Sequence, residues 1–403
     1  MSKPRSPLSI IFITIFIDLL GFGLILPSLP FYAESYGATP LTVGLLSMSY
    51  SLMQFIFAPM WGRLSDRVGR RPIILLSLAG SCAAFLLFGL ARSLALLFVA
   101  RSLAGLLSSA SLPTAQAFIA DSTTPENRAK GMGLIGAAFG LGFIFGPALG
   151  GLLTHYGYSA PSYVAAVLAG GNLIWAWFAL PESLHHRPER VRPSYMSPTH
   201  LKESFGDPRI AFLLIIFFFG VFAFSNMEST FALFGEHQIG LHPFGVGGLL
   251  AEVGVISVIV QGFMIGKLTK RFGEINLTIW GLIIEAIGFL LTVLVHSVAT
   301  MLMVLPLYAI GSALLNPSIS SLLSRAAPED RQGDTLGVGQ GIGALGRVLG
   351  PVWGTWLFQA YEPDAPYISA GLMMGLLGIL CLFRLRRLLG PVIARPFAAT
   401  LHH

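Results

Sequence analysis

The chain is short of charge. Only 11% of its 403 residues are Asp, Glu, Lys or Arg, against about 25% in a soluble globular chain. Hydrophobic residues make up 54% and the mean hydropathy is +0.74. A surface so poor in charge has to face lipid, which excludes a soluble multidomain protein. Cysteine is nearly missing too. Cys82 and Cys381 both lie inside apolar stretches without CxxC or metal-ligand spacing, so neither a disulfide framework nor a metal site is expected. There is no GxxxxGK[ST] segment for ATP, and no HExxH or Ser/His/Asp constellation at a membrane boundary. ATP-driven machinery and a membrane enzyme are therefore disfavoured, and no cofactor is expected. Period-2 alternation is lacking, which argues against a β-barrel. The sequence pI near 9.5 would suit nucleic acid, but the basic residues fall in short clusters between apolar runs. That is how membrane topology is written, and no nucleic acid partner is expected.

What the chain does have is length of apolar run. A transmembrane helix needs about 20 predominantly apolar residues, and twelve such segments follow one another. Their cores are 8–30, 41–61, 72–91, 94–119, 130–153, 160–180, 210–233, 244–266, 275–295, 299–323, 335–358 and 366–385. The first follows Lys3 and Arg5, as a signal peptide would, yet it is long enough to span and carries Asp18 at its middle. It reads as a retained helix. The expected fold is an all-α membrane protein of twelve spans.

The arginines and lysines give the orientation. Arg63, Arg67, Arg70 and Arg71 follow the second span, and Arg128 and Lys130 the fourth. Lys267, Lys270 and Arg271 follow the eighth, and Arg384, Arg386 and Arg387 the twelfth, whereas the opposite loops hold only Arg92. The bias predicts a multi-pass inner-membrane protein with both termini in the cytoplasm.

The longest hydrophilic stretch, 181–208, lies between spans six and seven and divides the chain almost equally. Either side of it the sequence repeats. Gly133, Gly142, Gly146, Pro147 and Gly150 recur as Gly337, Gly346, Gly350, Pro351 and Gly354, 204 positions later. The same shift carries Gly62, Arg67 and Gly69 onto Gly266, Arg271 and Gly273, and Pro113 onto Pro317. Six spans were duplicated in parallel. The expected units are 1–180 and 209–403, each a pseudo-symmetric six-helix bundle, joined by the 181–208 loop. A shared site belongs near the midplane between them.

Several motifs now point to a family. Gly62-Arg-Leu-Ser-Asp66-Arg67-Val-Gly69-Arg70-Arg71 resembles the cytoplasmic loop signature of the major facilitator superfamily. Leu-Phe-Val-Ala-Arg101-Ser-Leu-Ala-Gly105 is similar to its fourth-helix arginine motif, and the run from Gly133 to Gly151 to its antiporter glycine-proline motif. Asp18 through Pro30 resembles the first-helix signature of twelve-span drug/proton antiporters, and Tyr50 to Leu78 the matching stretch of tetracycline/proton antiporters. The resemblance implies the major facilitator fold. It also implies a cytoplasmic latch, in which Asp66 docks on the start of the eleventh helix near Asp334–Leu336 while Arg70 pairs with Asp121. In the second half Lys270 stands where Asp66 would repeat. The spaced glycines, Gly151 included, suit close helix–helix approach, and the expectation is that the two lobes rock along them.

An ionisable side chain near mid-bilayer costs roughly 3 kcal/mol on insertion scales and is by default functional. Six candidates for proton coupling stand inside the spans: Asp18, Arg101, Glu228, Glu252, Glu285 and Arg347. Desolvation favours a neutral acid and a nearby guanidinium an ionised one, so moving either loads or releases a proton. The resemblance places the first, fourth, seventh and tenth helices around the cavity, which favours Asp18, Arg101 and Glu228. Glu228 could also snorkel to the outer surface. Glu252 and Arg347 could equally form a structural pair, and Glu285 sits on a peripheral helix where tetracycline antiporters carry an aspartate. Those antiporters have an acid where this chain has Ala84 and a histidine where it has Ser257, which implies a different substrate.

The expectation is a monomeric, proton-coupled antiporter exporting a small amphiphilic organic solute or drug. A lipid, lysolipid or dedicated (siderophore-like) metabolite transporter is the alternative, and a non-transporting sensor a remote one. Solute, protons and membrane lipid are the expected partners.

Overall fold

A computed structural model describes residues 7–184, 198–328 and 331–393. Lys3, Arg5, residues 185–197 of the 181–208 loop and the end of the tail lie outside them. Everything described is helical or a short connection. Helices α1 (Pro7–Ile25), α2 (Leu29–Glu34), α3 (Pro40–Val68), α4 (Arg70–Gly89), α5 (Leu94–Ser108), α6 (Ser111–Asp121), α7 (Pro125–Leu153) and α8 (Ala160–Ala179) form the first half. After α9 (Pro198–Gly206), inside the expected loop, come α10 (Pro208–Ile239), α11 (Pro243–Ile259), α12 (Ile265–Leu291), α13 (Val298–Ala326), α14 (Gln332–Ala360) and α15 (Ala365–Ile393).

The elements map onto twelve spans once the breaks are explained. Ten stretches are long and apolar enough to cross a membrane by themselves. One of them, Pro243–Leu294, is really two spans: a π turn at Val260–Met264 carries α11 into α12, and the chain then turns at Gly273, whose φ is +77°. The twelfth is α14, 29 residues long, which glycines and polar side chains make less apolar than its neighbours. The fourth span is split at Ser109–Ala110 into α5 and α6. The first span stops at Ile25 instead of reaching Pro30, because the chain there re-forms as α2.

The apolar cores separate by half. One large cluster joins α10 to α15 around Phe217, Phe231, Phe234, Phe289 and Tyr308, and two clusters of the first half gather around Leu24, Phe85 and Phe88 and around Ile11, Leu78 and Phe118. Phe31 of α2 is the exception, reaching across to the α10–α15 cluster of the second half.

The halves meet along two seams, α3 with α14 and α7 with α11. Both seams are tight on the side away from the termini. There Gly44 of α3 abuts Thr355 and Pro351 of α14, and the Leu41 N–H donates to Gln359 Oε1 at 3.0 Å. A Cβ on Gly151 of α7 would sit 2.6 Å from the Pro243 carbonyl of α11, and Gly247 faces the Pro147 carbonyl. Towards the termini the seams part. Gly133, Gly262, Gly266 and Gly333 have open space where a Cβ would be, and Leu64 and Val68 at the end of α3 are exposed. The molecule is open on the termini side and closed on the far side.

That geometry corrects two expectations. Gly142, Gly146 and Gly150 pack on Leu19, Gly23 and Leu24 of α1 in their own half, and Gly346, Gly350 and Gly354 pack on Phe218, Phe222 and Asn226 of α10. The stripe therefore fixes helices within a lobe. Close contact between the lobes is made by Gly151, the last of the expected glycines, and by Gly247 and Gly254 of α11, one side round. Gly133 packs on nothing, because it lies where the seam is open.

Candidate functional site

The motif after the second span is built from backbone constraint upward. Gly69 has φ +115°, which L side chains rarely adopt, and an added Cβ would sit 2.5 Å from Glu182 Oε2. The turn it makes begins α4, whose first amides need acceptors. Glu182 supplies them: its carboxylate accepts from the N–H groups of Arg70 at 2.9 Å, Arg71 at 3.2 Å, Ser183 at 2.9 Å and Leu184 at 3.0 Å. Burial alone would raise the Glu182 carboxyl, but these four donors hold it below the usual carboxylate value. The Arg70 side chain, buried, then gathers three oxygens: Asp66 Oδ1 at 2.6 Å, Asp121 Oδ2 at 3.0 Å and Ser65 Oγ at 2.7 Å. Arg71 Nη2 donates to the Trp177 carbonyl at 2.5 Å. Gly62 enters through its carbonyl, which accepts from Ser65 Oγ at 2.7 Å; Arg67 makes no contact with the knot among the described hydrogen bonds and ion pairs.

Arg70 and Asp121 thus stand together, whereas Asp66 is turned towards Arg70 within its own half. Asp334 at the α14 start faces His200 of α9 at 3.9 Å. The physical reason is the open seam, which holds the termini-side ends of α3 and α14 apart.

Four of the six membrane charges converge where the halves face each other. Arg101 of α5 is 4% exposed and lays its guanidinium over the Tyr50 ring at 4.5 Å, with Phe22 at 5.8 Å. Tyr50 of α3 is held in turn by Gln54 Nε2 at 2.9 Å and shares a hydrogen bond with Ser108 at 3.3 Å. Glu228 of α10, half-buried, lies in the field of two charges, Arg101 from the first half and Arg347 from the second. Asp18 of α1 accepts from Ser81 Oγ at 3.0 Å and, with Arg101 and Arg347, acts on Tyr50. Among the described residues none of these four charges is in an ion pair.

The other two candidates lie elsewhere. Glu285 is 1% exposed and sits inside the second bundle, its Cβ against Gly311 of α13, with Oε2 unpartnered. Glu252 of α11 is half-buried beside the α7 seam, its Oε2 likewise without a partner. On the far side, burial and the opposing Glu236 carboxylate push the Glu34 carboxyl up to about 7.

Two parts of the site were not singled out from the sequence. Glu182 ends the sixth span and looks like any boundary acid. Only its position 112 residues from Arg70 in sequence, yet 2.9 Å from the Arg70 amide in space, reveals it. Tyr50 could have been found from its four-residue spacing to Gln54, which puts two polar side chains on one face of an apolar span.

Known proteins agree with this architecture. The Major Facilitator Superfamily model matches residues 11–279 and 253–396. The chain is 33% identical to tetracycline resistance protein, class C, of Escherichia coli, covering 89% of this chain and 91% of that one. It is 30% identical to multidrug resistance protein 2 of Bacillus subtilis (strain 168), covering 93% and 94%. The crystal structure of the human organic anion transporter MFSD10 (TETRAN) superposes with a TM-score of 0.72 at 25% identity, over 94% of this chain and all of that one. The peptide transporter POT shares the fold at a TM-score of 0.79 and 16% identity, over 96% and 95%.

Proposed function

Because this chain belongs to the major facilitator superfamily, we propose that it is a proton-coupled antiporter of the inner membrane, exporting a small amphiphilic organic solute or drug with both termini in the cytoplasm. The observation that carries the reading is the central cluster. Asp18 and Glu228 lie with Arg101 and Arg347 at the junction of the two halves, in a space that opens towards one side only. Acids so placed can take a proton in one state and give it up in the other, as the arginines move with their helices. The open side is the termini side, so this is the state that would load solute from the cytoplasm. Closure there would bring the α3 end, with Asp66, towards the start of α14, where a carboxylate is favoured by the helix dipole. The names of the relatives above support drug-like solutes in general. Ala84 and Ser257, where tetracycline antiporters carry an acid and a histidine, support a solute other than the metal–tetracycline complex. The units 1–180 and 209–403 would be the two lobes that rock.

The test is pH-gradient-driven efflux from everted vesicles, with wild type and Asp18→Asn at matched expression. Transport should collapse in the variant while the protein still melts cooperatively. Undiminished coupled efflux would remove Asp18 from the mechanism. Resistance to no compound of a broad amphiphile panel, in an efflux-deficient host, would favour a dedicated metabolite or lipid instead.

A further inference from the structure

The central cluster is unusual in what it leaves unpaired. Four arginines outside it find carboxylates: Arg70 with Asp66 and Asp121, Arg325 with Glu274, Arg209 with Asp207, Arg331 with Glu203, while Glu252 and Glu285, like the cluster, are in no ion pair among the described residues. In the cluster Arg101 and Arg347 act on Glu228, and Asp18 lies beside the same Tyr50, yet among the described residues none of the four is in an ion pair within 4.0 Å. Arg101 is the extreme case. It is 4% exposed, its Nε has no acceptor, and its guanidinium lies over the faces of Tyr50 and Phe22. A buried guanidinium without an acceptor is expensive, and a bound group that supplies oxygens would relieve that cost. The formal charges of the cluster, two positive and two negative, sum to zero.

From this we infer that the transported solute is an amphiphilic zwitterion, with an acidic group for Arg101 and a basic group for Glu228, carried on an aromatic or apolar body. A net anion or net cation would satisfy one sign and leave the other bare. A zwitterion satisfies both, and its planar carboxylate matches the fork of a guanidinium. Its apolar body meets Phe22 and Tyr50, whose rings lie tilted by 30° with centroids 5.2 Å apart, and Phe143, 6.5 Å from Phe22. The ammonium end also explains exchange, since at Glu228 it occupies the place a proton would take. The inference rests on the exporter reading for its direction, but it concerns binding alone and can fail separately.

The experiment uses three probes with one body: 2-naphthylalanine, its primary amide and its N-acetyl derivative. At neutral pH they are zwitterion, cation and anion. Binding to the purified full-length protein in lipid nanodiscs is measured by calorimetry. The zwitterion should bind roughly tenfold or more tighter than either relative, as expected for losing one charge-assisted hydrogen bond. Arg101→Gln should bring the zwitterion down to the level of the amide, and Glu228→Gln to that of the N-acetyl acid. Arg101→Lys, which keeps charge without the fork, should fall between. An amide that binds wild type as tightly as the zwitterion overturns the proposal, and so does failure of all three to bind at millimolar concentration. The wild-type comparison stands even if a variant folds poorly. If the ranking holds but vesicles show no pH-driven efflux, the exporter reading fails and the site survives. If vesicles export lipophilic cations while the three probes do not differ, the reverse is true.

Discussion

The two halves of this molecule solve the same packing problem with opposite charges. Shifted by 204 positions, Arg70 becomes Glu274, Asp121 becomes Arg325, Asp66 becomes Lys270 and Glu182 becomes Arg386. Each sign is reversed. The pair survives the reversal: Arg325 Nη1 reaches Glu274 Oε1 and Oε2 at 3.1 and 3.0 Å, with Ser321 adding a bond at 2.9 Å, as Arg70 reaches Asp121. Coulomb attraction is blind to such a swap. The helix terminus is not. Glu182 can accept from the first amides of α4, whereas an arginine has no acceptor. Arg386 instead donates to the Asn276 side chain at 2.8 Å, although the chain turns at Gly273, φ +77°, much as it does at Gly69, φ +115°. The inference is that the inter-helix pair is what duplication preserved, and the capped turn belongs to the first half alone.

The largest effect should come from removing the two pair centres in turn. Arg70→Ala leaves Asp66 and Asp121 facing each other with no cation between them. Breaking a fully buried pair costs about 3–5 kcal/mol. Both aspartates are about a third exposed, at 32% and 28%, so about 2–3 kcal/mol is expected after screening. Glu274→Ala removes an acceptor from Arg325, which is 26% exposed, and from Ser321, leaves no like charges facing each other, and should cost about half as much. Thermal unfolding in one detergent checks the order. The sharper form is a charge swap: Arg70→Glu with Asp121→Arg should recover little, because Glu would then oppose Asp66. Adding Asp66→Lys, as in the second half, should recover most of the loss. Full recovery by the double swap would show that Asp66 contributes nothing to the knot.

Glycine gives the next comparison. Gly69 and Gly273 both have positive φ, so alanine is strained by about 1 kcal/mol or more at either. At Gly273 a Cβ would meet open space, while at Gly69 it would meet the Glu182 carboxylate. Gly69→Ala should therefore lose the cap as well, for a total of about 2 kcal/mol or more. Equal melting shifts for the two variants would mean that Glu182 simply moves aside.

The comparison also marks how far the sequence can be read. Twelve spans, their duplication and six intramembrane charges are all visible as strings, because lipid imposes length and apolarity on every helix. Lys270 in place of Asp66 was visible as one exception. Its companions, Glu274, Arg325 and Arg386, required the knowledge that residues about 50 and 110 apart meet. Nor could a string say that Glu285 would be enclosed in one bundle while Glu228 faces the other half. Both are single acids in apolar helices. Their difference lies in which way each helix is turned, and that is settled by packing partners such as Gly311. The conformational state was likewise beyond reach, since one sequence must serve both the open and the closed termini side.

The smallest effect, and the most specific to the first half, is a dependence on pH. Glu182 is solvent-exposed, so its four backbone bonds are partly screened and its contribution to stability is modest. Its folded-state value nevertheless lies below the ordinary 4.5. A group depressed on folding stabilises above its unfolded value, and that gain is lost as pH falls through the folded value. Glu182→Gln should therefore melt lower than wild type at pH 7, and the gap should close as pH falls below about 4. Arg386→Gln in the second half keeps its gap from wild type across the same range, because arginine does not titrate there and Asn276 carries no charge. Melting curves of the three proteins from pH 7 to pH 3.5, each variant read against wild type at the same pH, separate the cases. A Glu182→Gln gap that stays constant down to pH 3.5 would mean that the side chain acts by shape alone. The two halves would then differ in charge sign but not in how they begin their helices.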